Sequence, residues 1–502
     1  MKKIILILIV SFFIFNSCKT DDLELRDTGA ISTATFPVNE AELKGAVNAA
    51  YSPLQSQGLY GRYLPFMYDY MGNDCEVLLA GTYRGTPDLQ DFIKFTMTPT
   101  NNDIYLYWKN AYNGISRANF ILDKQDNINA ISTAEMPDAL KNKYIGEAKF
   151  LRALNYFLLV ERFGDIPFYT TTNVSPNGLP KSPKEDVYQL IIADLNFAGE
   201  NLNLKSAAEV GRATSGAAYA LLGKVHLYRG EHALAKIALD KVINSMEYVL
   251  TADYFDNFKV ETENNSESVF EVQFTYPGGS AWAYADWGGQ DNGDSESSFR
   301  SFEYGGIGGW HNNDPSQDLL DEFETGDPRY SASFYSVGDT YNNGSGVVDA
   351  SHMGETTAIW KKYELSYKGG TDGGGLSDIN HRVIRYADVL LMAAEVENEL
   401  GNRSTAIDYL NEVRDRATMP NYDTAAMNAT FPVSNMAEVF TAVVHERRIE
   451  LAGEQSRFPD LLRWNMTNLI NDFNAHNNLL PIPQTEIDTN LNISTADQNS
   501  GY

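Results

Sequence analysis

Two segments of the chain, about 170 residues apart, share a pattern that a pair of packed helices requires. Residues Leu222–Val242 and Ala393–Val413 carry small and apolar residues at the same spacing, and five of their aligned positions are identical. A glycine stands near the middle of each segment, at Gly230 and Gly401, where it permits the positive φ that ends a helix. An alanine five residues later lets the second helix of each pair approach the first closely. The sequence therefore predicts two similar helix pairs.

This arrangement resembles the tetratricopeptide repeat, in which successive helix pairs stack on one another. Because the two similar segments lie far apart, the stack must be discontinuous in sequence. Ser182 and Glu185 predict a capping box at the start of one further helix, with Pro183 at its first helical position. Amphipathic periodicity predicts the additional helices Trp108–Leu122, Met136–Phe163, Pro183–Leu202 and Thr214–Arg229.

Residues 257–380 have a different composition from the helical parts of the chain. Glycines crowd into residues 278–309 and again into 369–375, and a segment of this kind forms loops carried on a rigid scaffold. Partial alternation of apolar residues predicts one short strand at 267–276. We expect these residues to form a large loop-rich insert between the two helical parts.

The insert also concentrates aromatic residues. Three of the six tryptophans, Trp282, Trp287 and Trp310, lie within 29 residues of one another, and Tyr284 and Tyr304 lie among them. Rings on loops offer flat apolar faces to sugar C–H groups, while tyrosine, asparagine and aspartate side chains bind hydroxyl groups. The alternative is that these rings pin the insert onto the helices. We expect at least one ring to be exposed and to bind ligand.

A second cluster of polar and aromatic residues lies in the segment Tyr63–Arg84. Asp74, Tyr83 and Arg84 are its members with the clearest chemistry, because carboxylate and guanidinium groups can bind neighbouring hydroxyls in pairs. The other three tryptophans lie outside these two clusters. We expect Trp108 and Trp464 to lie in the core, and Trp360 has no predicted role.

Charge and motifs argue against several classes of function. The chain has 39 Lys and Arg against 67 Asp and Glu, a formal charge of -28, whereas a nucleic-acid binder needs a basic face. Neither a P-loop nor a Gly-x-Ser-x-Gly elbow occurs. His445 and Glu446 begin like a zinc-protease helix, but Ile449 stands where the second histidine must be. We predict no nucleic-acid partner, no cofactor and no catalytic metal.

Acidic clusters leave two further possibilities. Residues Asp291–Glu296 offer oxygen ligands for Ca²⁺ but lack the spacing of a calcium loop, so we interpret them as a solvated acidic loop. Asp318, Asp321 and Glu322 would suit a glycoside hydrolase, although their helical spacing favours an exposed acidic face. The arginines of the segment His445–Trp464 are expected to form salt bridges within a helix or clamps on carboxylates, and we assign them no ligand.

Residues 1–17 are typical of a secretory signal peptide. Two lysines precede the apolar run 4–15, which as a helix is about 18 Å long and too short to cross a hydrocarbon core of about 30 Å. Cys18 follows directly, as in a bacterial lipoprotein signal, and would carry the lipid. An ordinary signal peptide with an incidental cysteine is the alternative. Residues 18–40 would then form a lipidated tether.

Several motifs together resemble the SusD/RagB family of outer-membrane nutrient-binding lipoproteins. The lipoprotein cysteine with its acidic neighbours fits the family, and further motifs lie throughout the chain. They are Tyr107–Tyr112 with Ile115–Asn119, Glu147–Ala153, Arg162–Pro167, Ile384–Glu395, Leu410–Arg414, Glu446–Ala452 and Leu480–Gln484.

The resemblance implies a mostly α fold, in which tetratricopeptide-type helix pairs form a scaffold with a large loop-rich insert and few short strands. A single domain would span residues 41–502. It would consist of a helical part at 41–256, the ligand-face insert at 257–380 and a second helical part at 381–502.

The resemblance also implies a non-catalytic, surface-exposed lipoprotein of the outer membrane. Such a protein binds an oligosaccharide or polysaccharide and delivers it to a SusC-like TonB-dependent β-barrel transporter, towards which its helical side would face. In the family, the ligand surface is built from loops of the early half and of the insert. Those regions of this chain contain Asp74, Tyr83, Arg84, Trp282, Trp287, Tyr304 and Trp310.

Two alternatives remain open at this point. The chain could be a peptide- or protein-binding member of the same family, and its acidity would then favour basic peptides. It could instead be a glycoside hydrolase, which would require two carboxylates about 5 to 10 Å apart in an aromatic cleft.

Overall fold

The computed structural model of the chain describes residues 35–76, 87–275, 297–354, 356–368 and 377–502. The described residues before position 257 form the helices α1 Glu40–Tyr51, α2 Tyr63–Met71, α3 Pro87–Lys94, α4 Asn102–Leu122, α5 Gln125–Ala130, α6 Asp138–Phe163, α7 Lys184–Asn201, α8 Ser215–Tyr228 and α9 His232–Ile243. Those after position 296 form α10 Arg300–Tyr304, α11 Gln317–Glu322, α12 Pro328–Ser333, α13 Tyr386–Glu399, α14 Arg403–Arg416, α15 Met436–Glu450, α16 Arg457–Arg463 and α17 Gln484–Thr489.

Strands in the described ranges are short. They are β1 Cys75–Glu76, β2 Ile166–Pro167, β3 Lys181–Ser182, β4 Ser268–Val272, β5 Asp314–Pro315, β6 Phe334–Tyr335, β7 Thr340–Tyr341, β8 Gly346–Val347, β9 Ile359–Trp360 and β10 His381–Arg385. Each strand pairs with one antiparallel partner, in the order β1–β5, β2–β3, β4–β10, β6–β9 and β7–β8. The fold is mostly α, as predicted.

The β4–β10 pair holds together the two ends of the insert. His381 lies opposite Val272, and Arg385 lies opposite Ser268. The prediction of a strand at 267–276 is thus confirmed for the residues of β4. Since the chain leaves β4 and returns to β10, the residues between them form one closed excursion from the helical part. We call this two-stranded ladder the clamp.

The two similar segments become the helix pairs α8–α9 and α13–α14, as the glycine pattern predicts. Gly230 and Gly401 have φ values of 70° and 83°, the left-handed conformation that ends α8 and precedes α14. Thr214 caps α8, because its hydroxyl accepts a hydrogen bond from the backbone N–H of Ala217. Local sequence therefore determines where these helices begin and end.

The two pairs are consecutive in space although about 170 residues separate them. Helix α9 packs against α13, so the second pair continues the stack that the first pair begins. Before them, α4 packs on α6, α6 on α7 and α7 on α8, and after them α15 packs on both α13 and α14. The discontinuous stack of helices predicted from the sequence is confirmed.

The start of α7 differs from the predicted capping box. Ser182 belongs to β3 and lies opposite Ile166, so its backbone is already committed to a strand. Pro183 is the N-cap residue and not the first helical residue. The carboxylate of Asp165 instead accepts a hydrogen bond from the backbone N–H of Lys184 at 2.8 Å. A cap from outside the local segment replaces the one that local spacing suggested.

Aromatic side chains join the insert to the helical part. Trp360 is fully buried, and its ring lies 4.9 Å from that of Phe334 and 6.4 Å from that of Tyr304. Tyr304 in turn lies 5.2 Å from Phe66 on α2. Among the tryptophans with a predicted position, Trp108 is buried, whereas Trp464 is partly exposed.

Buried arginines of the segment His445–Trp464 form ion pairs between elements. Arg447 donates to Asp388 on α13 at 2.9 Å and to Asp460 on α16 at 2.7 Å. Arg463 pairs with Glu395 of α13 and also with Asp460, three residues before it. The expected structural role is confirmed, but most of these contacts tie helices together and do not run along one helix.

Gly230 allows a test of the role of positive φ in ending a helix. Gly230→Ala is expected to lower the free energy of unfolding by about 1 to 2 kcal/mol, because alanine in the left-handed conformation is strained, although no atom lies within 4 Å of the new methyl group.

The matched control is Gly45→Ala in α1, which is exposed and also has nothing within 4 Å. Its ordinary helical backbone should make this variant more stable by about 0.5 to 1 kcal/mol. Urea denaturation midpoints measure both changes. A Gly230→Ala midpoint equal to or above that of the wild type would contradict the conformational role of Gly230.

Asp388 gives the stack a defined dependence on pH. Burial raises the pKa of its carboxyl, but the charges of Lys224 and Arg447 outweigh burial and hold the pKa at about 2, below the usual 3.8. Because the folded-state pKa lies below the unfolded one, the contribution of Asp388 is complete above the unfolded value. It is lost as the pH falls through about 2, and it amounts to about 2 kcal/mol.

Asp388→Asn should lower the free energy of unfolding near neutral pH by about 3 kcal/mol, since the partly buried Lys224 loses its carboxylate partner and the buried Arg447 keeps only Asp460. It should also flatten the decline of stability between the unfolded and folded pKa values. Asp408→Asn, at an exposed position of α14, should change stability by less than about 0.5 kcal/mol. Denaturation at a series of pH values measures both variants, and identical acid profiles for wild type and Asp388→Asn would reject the linkage.

Candidate functional site

A cleft of about 370 Å³ opens in the insert between α10 and four later segments of the chain. This volume falls within the range of about 300 to 1,000 Å³ that is usual for small-molecule sites. We call it the insert cleft. Its lining residues are Ser301, Phe302, Ile307, Gly308, Gly309, Tyr341, Asn342, His352, Glu364 and Ser366.

Aromatic rings line the insert cleft from two separate segments. Phe302 of α10 is half-buried, and its ring contacts that of Trp310 edge to face at 4.8 Å. Tyr341 of β7 makes a similar edge contact with His352 at 5.6 Å. Rings supported by a second ring keep their orientation, so an incoming ligand meets apolar faces that are already in place.

The polar groups of the insert cleft are mainly neutral. Glu364 is the exception: its side chain is buried, and its carboxylate accepts from the hydroxyl of Ser366 and from the backbone N–H of Ile307. The backbone N–H of Asn342 donates to the carbonyl of Ser366 at 2.6 Å and binds the β7–β8 hairpin to this segment. One carboxylate among amides and hydroxyls suits a ligand rich in hydroxyl groups.

The described residues among the predicted ligand-binding set are Trp310, Tyr304 and Asp74. Trp310 is 9% exposed and supports Phe302 from behind the cleft. Tyr304 is fully buried, and its hydroxyl donates to the carboxylate of Asp69 at 2.6 Å. Asp74 is 3% exposed and accepts from Arg448 at 2.9 and 3.0 Å. All three residues therefore make structural contacts within the fold. Trp310 is the one among them whose ring contacts a cleft-lining ring, that of Phe302.

Buried Asp69 shows how closely Tyr304 belongs to the core. Burial raises the pKa of Asp69 to about 6, while the charge of Arg300 and the hydrogen bond from Tyr304 act in the opposite direction. A tyrosine whose hydroxyl is committed to an internal carboxylate offers neither its ring nor its hydroxyl to a ligand. The aromatic concentration of the insert is thus divided between the core and the surface.

The other predicted site residues lie outside the described residues. They are Trp282, Tyr284, Trp287, Tyr83 and Arg84, together with the lipidation candidate Cys18 and the acidic segment Asp291–Glu296.

The described residues that flank the ranges 276–296 and 369–376 contact one another. The hydroxyl of Ser297 donates to the carbonyl of Thr275 at 2.6 Å, and Ser298 bridges Ser377 through two backbone hydrogen bonds. Ser297 and Ser298 lie just before α10, whose residues Ser301 and Phe302 line the insert cleft.

Sequence reasoning missed four of the residues that give the insert cleft its character. Phe302, Tyr341, His352 and Glu364 lie up to 62 positions apart in the chain, and neither spacing nor motif connects them. One signal was available in the glycine run that precedes Trp310. A Cβ atom on Gly309 would lie 2.2 Å from the carbonyl oxygen of Gly305, so this turn at the cleft wall requires glycine.

Two of the three carboxylates considered for hydrolysis, Asp318 and Glu322, take part in ion pairs, whereas Asp321 accepts a hydrogen bond from Gln317 at 2.7 Å. Arg448 donates to Asp318 at 2.6 Å and to Glu322 at 3.1 Å. Burial raises the pKa of Glu322, but the hydrogen bond from His445 and the nearby positive charges outweigh it, so the pKa lies below its usual value. A general acid of a glycoside hydrolase needs the opposite shift.

Two general features of the described residues bear on function. No group of three or more His, Cys, Asp or Glu side chains in these ranges is arranged to hold a metal ion. Likewise, no helix within the described part of the chain combines the length and apolar character needed to cross a membrane.

Comparison with known protein families gives two matches that follow one another along the chain. Residues 84–227 match a family described as starch-binding and associating with the outer membrane. Residues 243–478 match the SusD family. The second match includes the whole insert, and together the two matches include the helices α3 to α7, most of α8, and α10 to α16.

Individual relatives match over almost the whole chain. The SusD-like protein P2 of Formosa agariphila is 29% identical over 540 aligned residues, which cover 100% of each chain. A solved laminarin-binding SusD-like protein is 30% identical with a TM-score of 0.74, covering 92% of this chain and 100% of its own. A SusD superfamily protein of Bacteroides vulgatus is 27% identical with a TM-score of 0.77, covering 92% and 99%. The chain belongs to the SusD/RagB family.

Proposed function

We propose that this protein captures an oligosaccharide or polysaccharide in the insert cleft and does not transform it. The observation that carries the proposal is the composition of the cleft, where the rings of Phe302, Tyr341 and His352 accompany neutral polar groups and one buried carboxylate. Pyranose rings present C–H faces that pack on aromatic rings, and their hydroxyls bind amides and carboxylates. The matching family is described as starch-binding, and one similar solved protein is named laminarin-binding, so both point to the same ligand class.

Trp282, Tyr284 and Trp287 are included in the proposed ligand surface from the sequence. Their segment leaves and re-enters the described chain beside α10, where Ser297 contacts Thr275. Rings added there would extend the aromatic lining beyond Phe302 and allow a longer glycan chain to bind. Tyr83 and Arg84 are proposed on the same sequence grounds. Asp74 and Trp310 are proposed as supporting residues, because both are buried.

The lack of a reaction is also part of the proposal. Asp318 and Glu322 of α11, which could serve hydrolysis, form ion pairs with Arg448, Glu322 also binds His445, and the pKa of Glu322 is lowered. This arrangement favours an ionised carboxylate with a structural role over a proton donor. We infer that a bound glycan leaves the site unchanged.

We further propose that the captured glycan passes to a SusC-like TonB-dependent transporter in the outer membrane. The description of the first family match, associating with outer membrane, supports this location. Lipid on Cys18 would hold the protein there, since each buried methylene contributes about 0.8 kcal/mol to membrane binding. The stack of helices, on the side away from the insert, would face the transporter.

Affinity electrophoresis in gels that contain laminarin, starch or other neutral polysaccharides tests the capture of glycan. At least one polysaccharide should retard the wild-type protein. Phe302→Ala and Tyr341→Ala should each weaken binding about 10-fold, because the loss of a contacting ring costs about 1.4 kcal/mol or more. Trp282→Ala and Trp287→Ala should act in the same direction.

Two controls separate ligand contact from folding. Tyr409→Ala removes a partly exposed ring on α14, far along the chain from the insert, and should leave retardation unchanged. Tyr304→Phe should reduce stability by about 1.5 to 3 kcal/mol, since Asp69 loses a hydrogen bond, without changing affinity. Unchanged retardation in all four ring variants would remove the insert cleft as the site. Calorimetric binding of peptides without retardation by any glycan would reassign the ligand class, and release of shortened glycan would indicate hydrolysis.

The lipid anchor has its own test. Cells that express the wild-type protein should incorporate labelled palmitate into it and retain it in the outer-membrane fraction. Cys18→Ser should abolish the label and release the protein from that fraction, whereas Cys75→Ser should do neither, because Cys75 is buried in the fold. Labelling that survives Cys18→Ser would place the anchor elsewhere.

A further inference from the structure

A second and larger cleft, of about 550 Å³, lies outside the insert. One face of α4 forms its floor, and its walls are the loop 169–178 and helix α17. It shares no lining residue with the insert cleft. We call it the α4 cleft.

The floor of the α4 cleft is aromatic. Tyr105, Trp108 and Tyr112 follow one another at spacings of three and four, which places them on one face of the helix. The ring of Tyr112 lies 5.0 Å from that of Trp108 and 5.7 Å from that of Tyr169, which comes from the opposite wall. Trp108 is buried, whereas the three tyrosines keep exposed surface. The planes of Tyr112 and Tyr169 are nearly perpendicular, at 87°, so the cleft offers a ligand separate ring faces and edges on its floor and on one wall.

Unused hydrogen-bonding groups lie along the same face of α4. The side chains of Lys109, Asn113 and Ser116 line the cleft, and none of them forms a hydrogen bond with another described residue. Glu486 on α17 accepts from the indole N–H of Trp108 at 3.3 Å and keeps exposed surface. One cation and one anion balance each other, so the lining suits a neutral ligand with several hydroxyl groups.

The walls of the α4 cleft are held in place without a ligand. Thr172 donates to the carboxylate of Asp123 through its backbone N–H and its hydroxyl. Asn490 donates to the carbonyl of Leu179 at 2.8 Å, and Asn492 donates to the carbonyl of Gly178 at 3.0 Å. The bonds of Thr172 join the loop wall to the residue that follows α4, and the bonds of Asn490 and Asn492 join the end of that loop to the residues that follow α17. Because the walls are already fixed, binding of a ligand would cost little conformational entropy.

A purely structural role for these groups accounts for only part of the arrangement. The hydroxyl of Tyr112 donates to the carbonyl of Pro167 and so helps to position the loop. The space between the walls stays open, and Lys109, Asn113 and Ser116 keep exposed surface along it, where a ligand can reach them. The same combination of rings, amide and hydroxyl lines the insert cleft.

We propose that the α4 cleft is a second carbohydrate-binding site, which holds one or two neutral sugar units of an oligosaccharide. This proposal goes beyond the function proposed above, because the second site uses different residues and needs no contact with the insert. Tyr105, Tyr112 and Tyr169 stack against the sugar faces. Lys109, Asn113 and Ser116 bind its hydroxyls.

The test uses a variant of the full chain whose insert cleft is disabled by combining Phe302→Ala and Tyr341→Ala with Trp282→Ala and Trp287→Ala. Saturation-transfer difference NMR detects the weak binding of three probes, laminarihexaose, maltohexaose and cellohexaose. At least one probe should still bind to this background. Adding Ser116→Trp, which fills the α4 cleft, should reduce its signal at least 5-fold, and adding Tyr105→Ala should raise the dissociation constant about 5- to 10-fold.

A matched control carries Ala193→Trp on an exposed face of α7, and it should leave the signal unchanged. Equal melting temperatures for the two tryptophan variants exclude unfolding as the cause. If Ser116→Trp fails to fold, the double variant Lys109→Ala and Asn113→Ala replaces it and should reduce the signal in the same way.

Three results would overturn the proposal. They are a background variant that binds none of the probes, a signal that survives the filling of the α4 cleft, and displacement of the bound probe by peptides at lower concentration than by sugars. Retardation of the wild-type protein by polysaccharide is measured separately, so failure here leaves the insert cleft intact. Loss of all glycan binding by the wild-type protein would instead remove both sites.

Discussion

Three arginines converge on one buried carboxylate, and this cluster holds the insert on the helical stack. Glu450 of α15 accepts from Arg329 of the insert, from Arg385 at the end of β10 and from Arg416 of α14. Burial raises the pKa of Glu450, but the three positive charges more than offset it, so the carboxyl stays ionised. Because a buried charge without its partner costs about 3 to 5 kcal/mol, other placements of the insert are strongly disfavoured.

The same principle separates the structural part of the molecule from the part that meets a ligand. Charged groups with full partners are concentrated at the boundary between insert and stack, where Arg62 pairs with Glu303 and Arg448 with Asp74. The two clefts hold rings, amides and hydroxyls with few charges. A strongly acidic chain can thus recognise neutral molecules, since most of its interior charges already neutralise one another.

The helical part was predictable because its signals are local. Periodicity located α6, α7 and α8 to within two residues at each end and the end of α4, which begins six residues before its predicted start, and the glycines at 230 and 401 marked the helix pairs. The Ser182 cap failed because a long-range strand pair used that residue first. Tyr304 was grouped with surface rings, since composition cannot distinguish an aromatic residue that pins an insert from one that faces solvent.

The clefts could not be derived from the sequence for the same reason. Residues that line the insert cleft come from segments as far apart as Ser301 and Ser366, and only the folded insert brings them together. The α4 cleft was closer to recognition, because Trp108 and Tyr112 lie in a motif of the family. Its open volume depends on a loop about 60 residues later in the chain and on α17 near the end.

The clamp between β4 and β10 has a consequence for how such proteins diversify. An excursion that starts and finishes at one antiparallel ladder can lengthen, shorten or change composition while the helices beneath keep their register. Residues of this excursion that do not contact the helices can therefore change, whereas Glu303, Tyr304 and Arg329 must keep the contacts that fix the insert to the stack. A chimera that exchanges the residues between β4 and β10 with those of a relative would take its ligand specificity from one parent and its helical scaffold from the other.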